Sequence, residues 1–174
     1  NFDNLEVPII QAPMAGGFNT PELASSVANA GAIGSFGFSF TNAEKIAETL
    51  FITKKLTNGF LNANFFVFKP IELPHNTILL KAIDALNKLS FQETYELKIP
   101  QEPFYFSLEE QIEATIENSP SIITFHLGLP PISIIKKIKN KGIKVGITST
   151  NLKEALLIEK SGADFTILQG FEAG

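Results

Sequence analysis

The chain has 174 residues, of which 44% are hydrophobic and 18% charged, and its formal net charge is −4 at pH 7. The length predicts one domain over residues 1–174. The negative charge provides no basic surface for phosphates, so we expect no nucleic-acid partner. No apolar run approaches the roughly 20 residues of a membrane span, so we expect no membrane partner either. The sequence lacks cysteine, which excludes disulfides and favours a cytoplasmic protein.

Short apolar runs alternate with amphipathic segments along the chain. Most runs are apolar throughout, which is typical of strands covered on both faces of a parallel sheet. Such alternation predicts right-handed crossovers, in either an open doubly wound sheet or a closed barrel, and periodicity does not separate the two. The six runs are VPIIQ (7–11), AIGSFG (32–37), FLNANFFVF (60–68), SIITFHL (121–127), IKVGIT (143–148) and DFTILQ (164–169).

The segments between the runs carry the residues that begin and end helices. Thr20 and Pro21 predict an N-cap and a first helical position, and Gly31 ends that helix. A lysine-rich helix follows Pro130 and Pro131, and its lysines, interleaved with isoleucines, predict a solvated face. Three further starts have a capping residue followed three positions later by glutamate: Thr41 with Glu44, Ser107 with Glu110, and Asn151 with Glu154.

Residues 69–106 interrupt this short rhythm. They contain a predicted helix that carries the apolar residues from Ile78 to Leu89, between proline-containing connections. We interpret the segment as an elaboration of the third β/α unit within one domain.

Polar or bare residues stand at or near the end of every run. Because parallel strands end at the same edge of a sheet, we expect these residues to share that edge. This placement is the rule for the site of a β/α barrel, although an open sheet shares part of it. The residues are Pro13, Met14, Gly16, Phe36, Gly37, Asn64, His126, Thr148, Ser149, Gln169 and Gly170.

Several chemistries are excluded by the motifs that the sequence lacks. It has no phosphate loop ending in Gly-Lys-Ser or Gly-Lys-Thr and no GxGxxG after the first run, which disfavours ATP hydrolysis and an ordinary dinucleotide fold. Two histidines, no cysteine and scattered carboxylates give no cluster at metal-ligand spacing, so we expect no metal.

Three side chains remain as candidates for chemistry. His126, at a strand-to-helix junction, can take a proton from carbon or hold an anion; the alternative is a structural core histidine. Asn64 and Gln169 each offer a donor and an acceptor, which suits the alternating N–H and C=O edge of a flavin pyrimidine ring. The alternative interpretations are a structural amide and a polar turn.

The chain resembles the nitronate monooxygenases along essentially its whole length, in four ordered segments: PIIQAPMAGGFNTPELASSVANAGAIGSFG, ANFFVF, FHLGLPP and LQGFEAG. The resemblance implies a parallel (β/α)8 TIM-type barrel, of which about six units are present. It implies FMN-dependent oxidation of alkyl nitronates, and in some members nitroalkanes, by O2 to carbonyl compounds and nitrite. His126 would be the active-site histidine. The residues implied to bind FMN are Ala12, Pro13, Met14, Asn64, Gln169, Gly170 and Gly174.

The chain departs from the family in length and in Ala32, where the family often has glycine. A closed barrel needs eight units and typically about 250 residues. The family continues after Gly174 with two units whose loops hold the flavin phosphate. We therefore expect a truncated chain that binds FMN weakly by itself and self-associates, as a homodimer or an aggregate. Two alternatives are a flavin-dependent enoyl-acyl-carrier-protein reductase and a non-catalytic truncated relative.

Overall fold

The computed structural model describes residues 5–89 and 97–172. The chain forms two compact units, the first comprising Asn1–Phe68 and Phe106–Gly174 and the second Lys69–Tyr105. Within the described ranges, no helix is long and apolar enough to cross a membrane.

Helices and strands alternate along the first unit, as the sequence predicts. The helix α3 belongs to the second unit, and every other element belongs to the first. The elements in chain order are α1 (Pro21–Asn29), β1 (Gly34–Gly37), α2 (Ala43–Leu56), β2 (Leu61–Phe66), α3 (Asn76–Leu89), α4 (Leu108–Glu117), β3 (Ile122–His126), α5 (Ile132–Lys139), β4 (Lys144–Ser149), α6 (Leu152–Ser161) and β5 (Phe165–Leu168).

The five strands form one parallel sheet in the order β1-β2-β3-β4-β5. Each strand therefore pairs with the next strand along the chain. A doubly wound sheet reverses its order at a switch point, whereas a β/α barrel keeps the sequential order. The described strands contain no such reversal. The fold is accordingly of the TIM-barrel type, which confirms the predicted fold class.

The first predicted strand, residues 7–11, is wrong in extent. Ile10 forms an isolated parallel bridge with Ile33. The adjoining hydrogen bonds run from the Gln11 N–H to the Ile33 carbonyl at 2.9 Å and from the Ile33 N–H to the Ile9 carbonyl at 3.0 Å. Towards the N-terminus the Ile9 N–H donates to the Val7 carbonyl at 2.8 Å, so it does not continue the ladder, and a single further hydrogen bond runs from the Val7 N–H to the Gly31 carbonyl at 3.1 Å. The run therefore lies beside β1 as a short pairing and not as a full strand.

The core lies between the sheet and the helices of the first unit. Alternate strand residues face this layer, and each fully buried Ile or Phe contributes about 2 kcal/mol of apolar burial. The rings of Phe65 and Phe125 lie 6.3 Å apart in it. Its most buried members include Phe36, Ala63, Phe65, Ile123, Phe125, Val145 and Ile147 from strands, and Ile46, Leu50, Ile112, Ile135 and Ile138 from helices.

Hydrogen bonds at the helix starts confirm three of the four predicted caps. In each confirmed cap the side-chain oxygen accepts from the backbone N–H three positions later; these caps are Thr20, Ser107 and Asn151. The prediction for Thr41 is wrong, because Asn42 caps α2 and its Oδ1 accepts from the Lys45 N–H at 2.8 Å. The Thr41 N–H instead donates to the Phe38 carbonyl in the preceding turn. Asparagine is also the stronger N-cap residue of the two.

The second unit contains the predicted helix as α3. None of the residues of α3 is buried. The Asn87 side-chain oxygen accepts from the Leu97 N–H at 3.0 Å. A Lys88–Asp84 ion pair joins successive turns, but both side chains are well exposed, so the pair adds little stability.

Candidate functional site

The segment Ala12–Met14 passes beside the end of β1. Gly37, the last residue of β1, pairs in register with Asn64 of β2. A Cβ at position 37 would lie 2.7 Å from the backbone nitrogen of Ala15 and the carbonyl carbon of Met14. Backbone atoms cannot approach a Cβ so closely, so the passage of the Ala12–Met14 segment over the end of β1 requires glycine at position 37. The structure therefore brings residues Ala12–Met14, called the Met14 segment below, to the strand position next to Asn64.

A side chain that the sequence analysis missed braces this segment. The Asn19 Oδ1 accepts from the Met14 N–H, and its Nδ2 donates to the Ala12 carbonyl at 3.3 Å. Asn19 is buried, whereas Ala12 and Met14 are exposed. An asparagine between the Gly16-Gly17 turn and a helix is a signal for such bracing, because its amide can bond a local N–H and C=O together.

Asn64 lies on the face of β2 opposite the helices and is 5% exposed. Its Nδ2 donates to the Thr124 carbonyl at 3.3 Å and to the Thr124 Oγ1 at 2.9 Å. The amide therefore bridges β2 and β3, as its structural interpretation anticipates. No residue in the described ranges donates to its Oδ1.

His126 is the last residue of β3 and lies in register with Phe66 of β2. The two ring centroids are 5.8 Å apart, and His126 is half-buried. The Phe66 ring also meets Phe40 at 5.9 Å and Phe68 at 5.7 Å in edge-to-face geometry. Neither imidazole nitrogen has a hydrogen-bond partner among residues 5–89 and 97–172. The imidazole therefore has an aromatic wall on one side and ring nitrogens that remain able to bond.

The chain turns sharply immediately after His126. Leu127 has a φ of +67°, a left-handed conformation that is uncommon for a leucine. A Cβ at Gly128 would lie 3.2 Å from the Val67 carbonyl oxygen. The Val67 N–H donates to the His126 carbonyl at 2.9 Å, which joins the ends of β2 and β3. Such strained backbone occurs preferentially at functional sites.

Gln169 and Gly170 follow β5 at the same carboxyl edge of the sheet. The Gln169 N–H donates to the Ser149 carbonyl at 3.0 Å, which holds the segment against the end of β4. A single strand, β4, separates β5 from the strand that ends in His126. Gly174 lies outside the described residues.

One carboxylate at this edge acts as a helix cap. The Glu154 Oε2 accepts from the Thr150 N–H at 2.8 Å and from the Thr150 Oγ1 at 3.0 Å. These hydrogen bonds, first the backbone one, hold the pKa of Glu154 below its usual value. Glu154 is therefore ionised at neutral pH, and its carboxylate is engaged by Thr150 at the start of α6. In the described part of the chain no three metal-ligating side chains come together.

Comparison with known proteins agrees with the predicted family. The family model for nitronate monooxygenase matches residues 3–174. A nitronate monooxygenase of Paraburkholderia phytofirmans is 34% identical over 98% of this chain and 47% of its own length. A nitroalkane oxidase from Streptomyces ansochromogenes superposes with a TM-score of 0.84 and 27% identity, over 99% of this chain and 48% of that one.

FabK from Thermotoga maritima superposes with a TM-score of 0.70 at 21% identity, over 98% of this chain and 43% of that one, and shares the fold alone. The chain spans about half the length of the curated relatives that it matches. The family match covers both edges of the site, from the Met14 segment to Gln169. From this match and the 34% identity we conclude that the chain belongs to the nitronate monooxygenase family.

Proposed function

We propose that the full-length protein is an FMN-dependent enzyme that oxidises alkyl nitronates, and nitroalkanes, with O2 to a carbonyl compound and nitrite. The observation that carries the proposal is the position of His126. Its imidazole stands at the carboxyl edge of the sheet, against Phe66, and no described residue bonds its ring nitrogens. The resemblance to a nitroalkane oxidase at 27% identity supports the same chemistry.

The residues at the edge fit a flavin by the chemistry of their polar groups. Ala12 and Met14 are exposed residues with small or flexible side chains, and the Asn64 Oδ1 is an acceptor that no described residue uses. The residues that would hold FMN are Ala12, Pro13, Met14, Asn64, Gln169, Gly170 and Gly174. When bound, FMN supplies the redox chemistry, taking electrons from the nitronate and passing them to O2.

His126 would act as the base for a neutral nitroalkane. A ring nitrogen takes the α-proton, and the electron pair of the C–H bond stays on the nitronate, where the nitro oxygens share it. The resulting imidazolium attracts that anion, and the Phe66 ring beside it favours a cation. A pre-formed nitronate needs no proton transfer, so for that substrate His126 would only hold the anion.

Replacing His126 with Asn separates these two roles. For a nitroalkane we expect kcat/KM, measured by nitrite release, to fall by about 10²- to 10⁴-fold, which is the usual contribution of a positioned base. For the corresponding nitronate the loss should be much smaller. His75→Asn, the same substitution at an exposed residue of the second unit, is the matched control and should change neither value. Equal losses on both substrates in His126→Asn would refute the base role.

The same proposal treats residues 1–174 as part of a single FMN-binding domain in the cytoplasm, with residues 69–106 as an elaboration of its third β/α unit. A single calorimetric unfolding transition of the full-length protein, shifted as a whole by FMN, is the expected result. Separate transitions, only one of which responds to FMN, would contradict it.

A further inference from the structure

Four buried polar side chains form one hydrogen-bonded chain across β1, β2 and β3. The Asn62 Nδ2 donates to the Ser35 Oγ at 3.2 Å, and the Thr124 Oγ1 donates to the Asn62 Oδ1 at 3.0 Å. The Asn64 Nδ2 in turn donates to the Thr124 Oγ1 at 2.9 Å. All four residues are 5% exposed or less. They lie on the sheet face opposite the helices, so they contribute nothing to the apolar core.

A backbone carbonyl fixes the orientation of the Asn64 amide. The Thr124 carbonyl oxygen can only accept, and it lies 3.3 Å from the Asn64 Nδ2, so the amide group that faces β3 is the NH2 group. Because the Thr124 hydroxyl accepts from that NH2, its single hydrogen is directed to the Asn62 Oδ1. Flipping Asn62 would leave the Thr124 hydrogen buried without an acceptor, which costs about 1–3 kcal/mol.

The orientation of the Asn64 NH2 group also determines what its Oδ1 presents. With the NH2 turned towards Thr124, the Asn64 Oδ1 is a carbonyl acceptor that no residue in the described ranges bonds. We infer that Thr124 and Asn62 are positioning residues that present the Asn64 Oδ1 to the ligand, so that the ligand group received there is an N–H donor.

This inference rests on the proposed function. Oxidised flavin carries a single ring N–H, at N3, and its remaining ring heteroatoms and carbonyl oxygens only accept. The N3–H is therefore the flavin group that Asn64 Oδ1 would take. Asn64 thus acts as a fixed acceptor, and not as an amide that can turn to suit either polarity.

The pKa of the flavin N3–H reports whether Asn64 presents its carbonyl oxygen or its NH2 group to the flavin. A carbonyl acceptor stabilises the protonated N3, so the pKa of N3–H in FMN bound to the full-length protein should be higher than in free FMN. Deprotonation is followed by the change in flavin absorbance at alkaline pH. An N3 pKa at or below that of free FMN would show that Asn64 presents its NH2, and would overturn the inference while leaving FMN binding intact. Absence of FMN binding would overturn the inference and the proposed function together.

Thr124→Val removes the hydroxyl with little change in shape and tests the positioning role. We expect the Kd for FMN to rise about tenfold and the bound N3 pKa to move towards that of free FMN. Thr124→Ser keeps the hydroxyl and should restore both values. Thr53→Val removes an equally buried hydroxyl that bonds only the Thr49 carbonyl in α2, and it should change neither. An unchanged Kd and N3 pKa in Thr124→Val would refute the positioning role. If that variant fails to fold, the wild-type N3 titration still decides the polarity.

Discussion

Gly37→Ala perturbs the crossing of the Met14 segment over β1. The added Cβ would stand 2.7 Å from the Ala15 nitrogen and the Met14 carbonyl carbon, whereas ordinary contacts begin near 3.4 Å. The obstructing atoms are backbone, so the segment must move by at least about 0.7 Å or β1 must bend. Overpacking of this kind costs about 1–3 kcal/mol. Because the segment is also proposed to line the flavin, we expect the Kd for FMN to rise at least tenfold, which is about 1.4 kcal/mol.

The assay pairs chemical denaturation with an FMN titration of the full-length protein, followed by quenching of flavin fluorescence. Gly142→Ala is the control: Gly142 has a φ of +75°, and a Cβ there would meet nothing within 4 Å. Its strain of about 1–2 kcal/mol should lower stability by a similar amount without affecting FMN. Wild-type stability and FMN affinity in Gly37→Ala would refute the close crossing. Loss of stability with unchanged affinity would refute the role of the segment in binding.

Two further substitutions test the hydrogen bonds of Asn19 to the Met14 segment and the dependence of stability on pH through Asp164. Asn19→Ala removes both bonds to the Met14 segment, so the Kd for FMN should rise about tenfold while stability falls by about 1–2 kcal/mol; a loss of stability with unchanged FMN affinity would refute its role in FMN binding, and no change in either would refute the bracing. Asp164 is partly desolvated, which raises its pKa, but the Val145 N–H and two lysines outweigh this and hold the pKa below its usual 3.8. Since the folded pKa is the lower one, the carboxylate stabilises the fold above about pH 4, and this contribution disappears as pH falls through the folded value. Asp164→Asn should therefore cost about 1 kcal/mol at pH 7 in urea unfolding, and this cost should shrink progressively as the pH is lowered below about 4, whereas a cost independent of pH would contradict the assignment.

The sequence predicts the strands because their burial is encoded locally. Five of the six runs contain a strand, because the strand residues that face the helices are apolar and recur at every second position. The exception is residues 7–11, where the Ile9 N–H bonds the Val7 carbonyl in a local turn and does not continue the ladder, which a run of apolar residues does not reveal. The cap is misplaced at Thr41 because the glutamate three positions later favours Thr41 in the pattern, whereas the neighbouring Asn42, which is followed at that spacing by Lys45, is the better N-cap residue and caps the helix.

Strand order and the hydrogen-bonded side chains of Ser35, Asn62, Thr124 and Asn64 require contacts that no local pattern specifies. Periodicity leaves an open sheet and a barrel equally acceptable, and only the pairing order separates them. The sequence singles out Asn64 through its polarity at the end of a run. Its partner Thr124 lies 60 residues away, and an apolar run with one threonine gives no signal for such a bond. Asn19 had a local signal, an amide between a glycine turn and a helix cap.

Anaerobic reduction shows directly whether an alkyl nitronate delivers its electrons to the flavin. FMN-loaded full-length protein is mixed without O2 with an alkyl nitronate or, in a parallel sample, with NADH, and the flavin absorbance is followed. We expect rapid bleaching by the nitronate, recovery of the oxidised spectrum when O2 is admitted, and release of nitrite. Rapid bleaching by NADH with none by the nitronate would contradict it and favour a reductase.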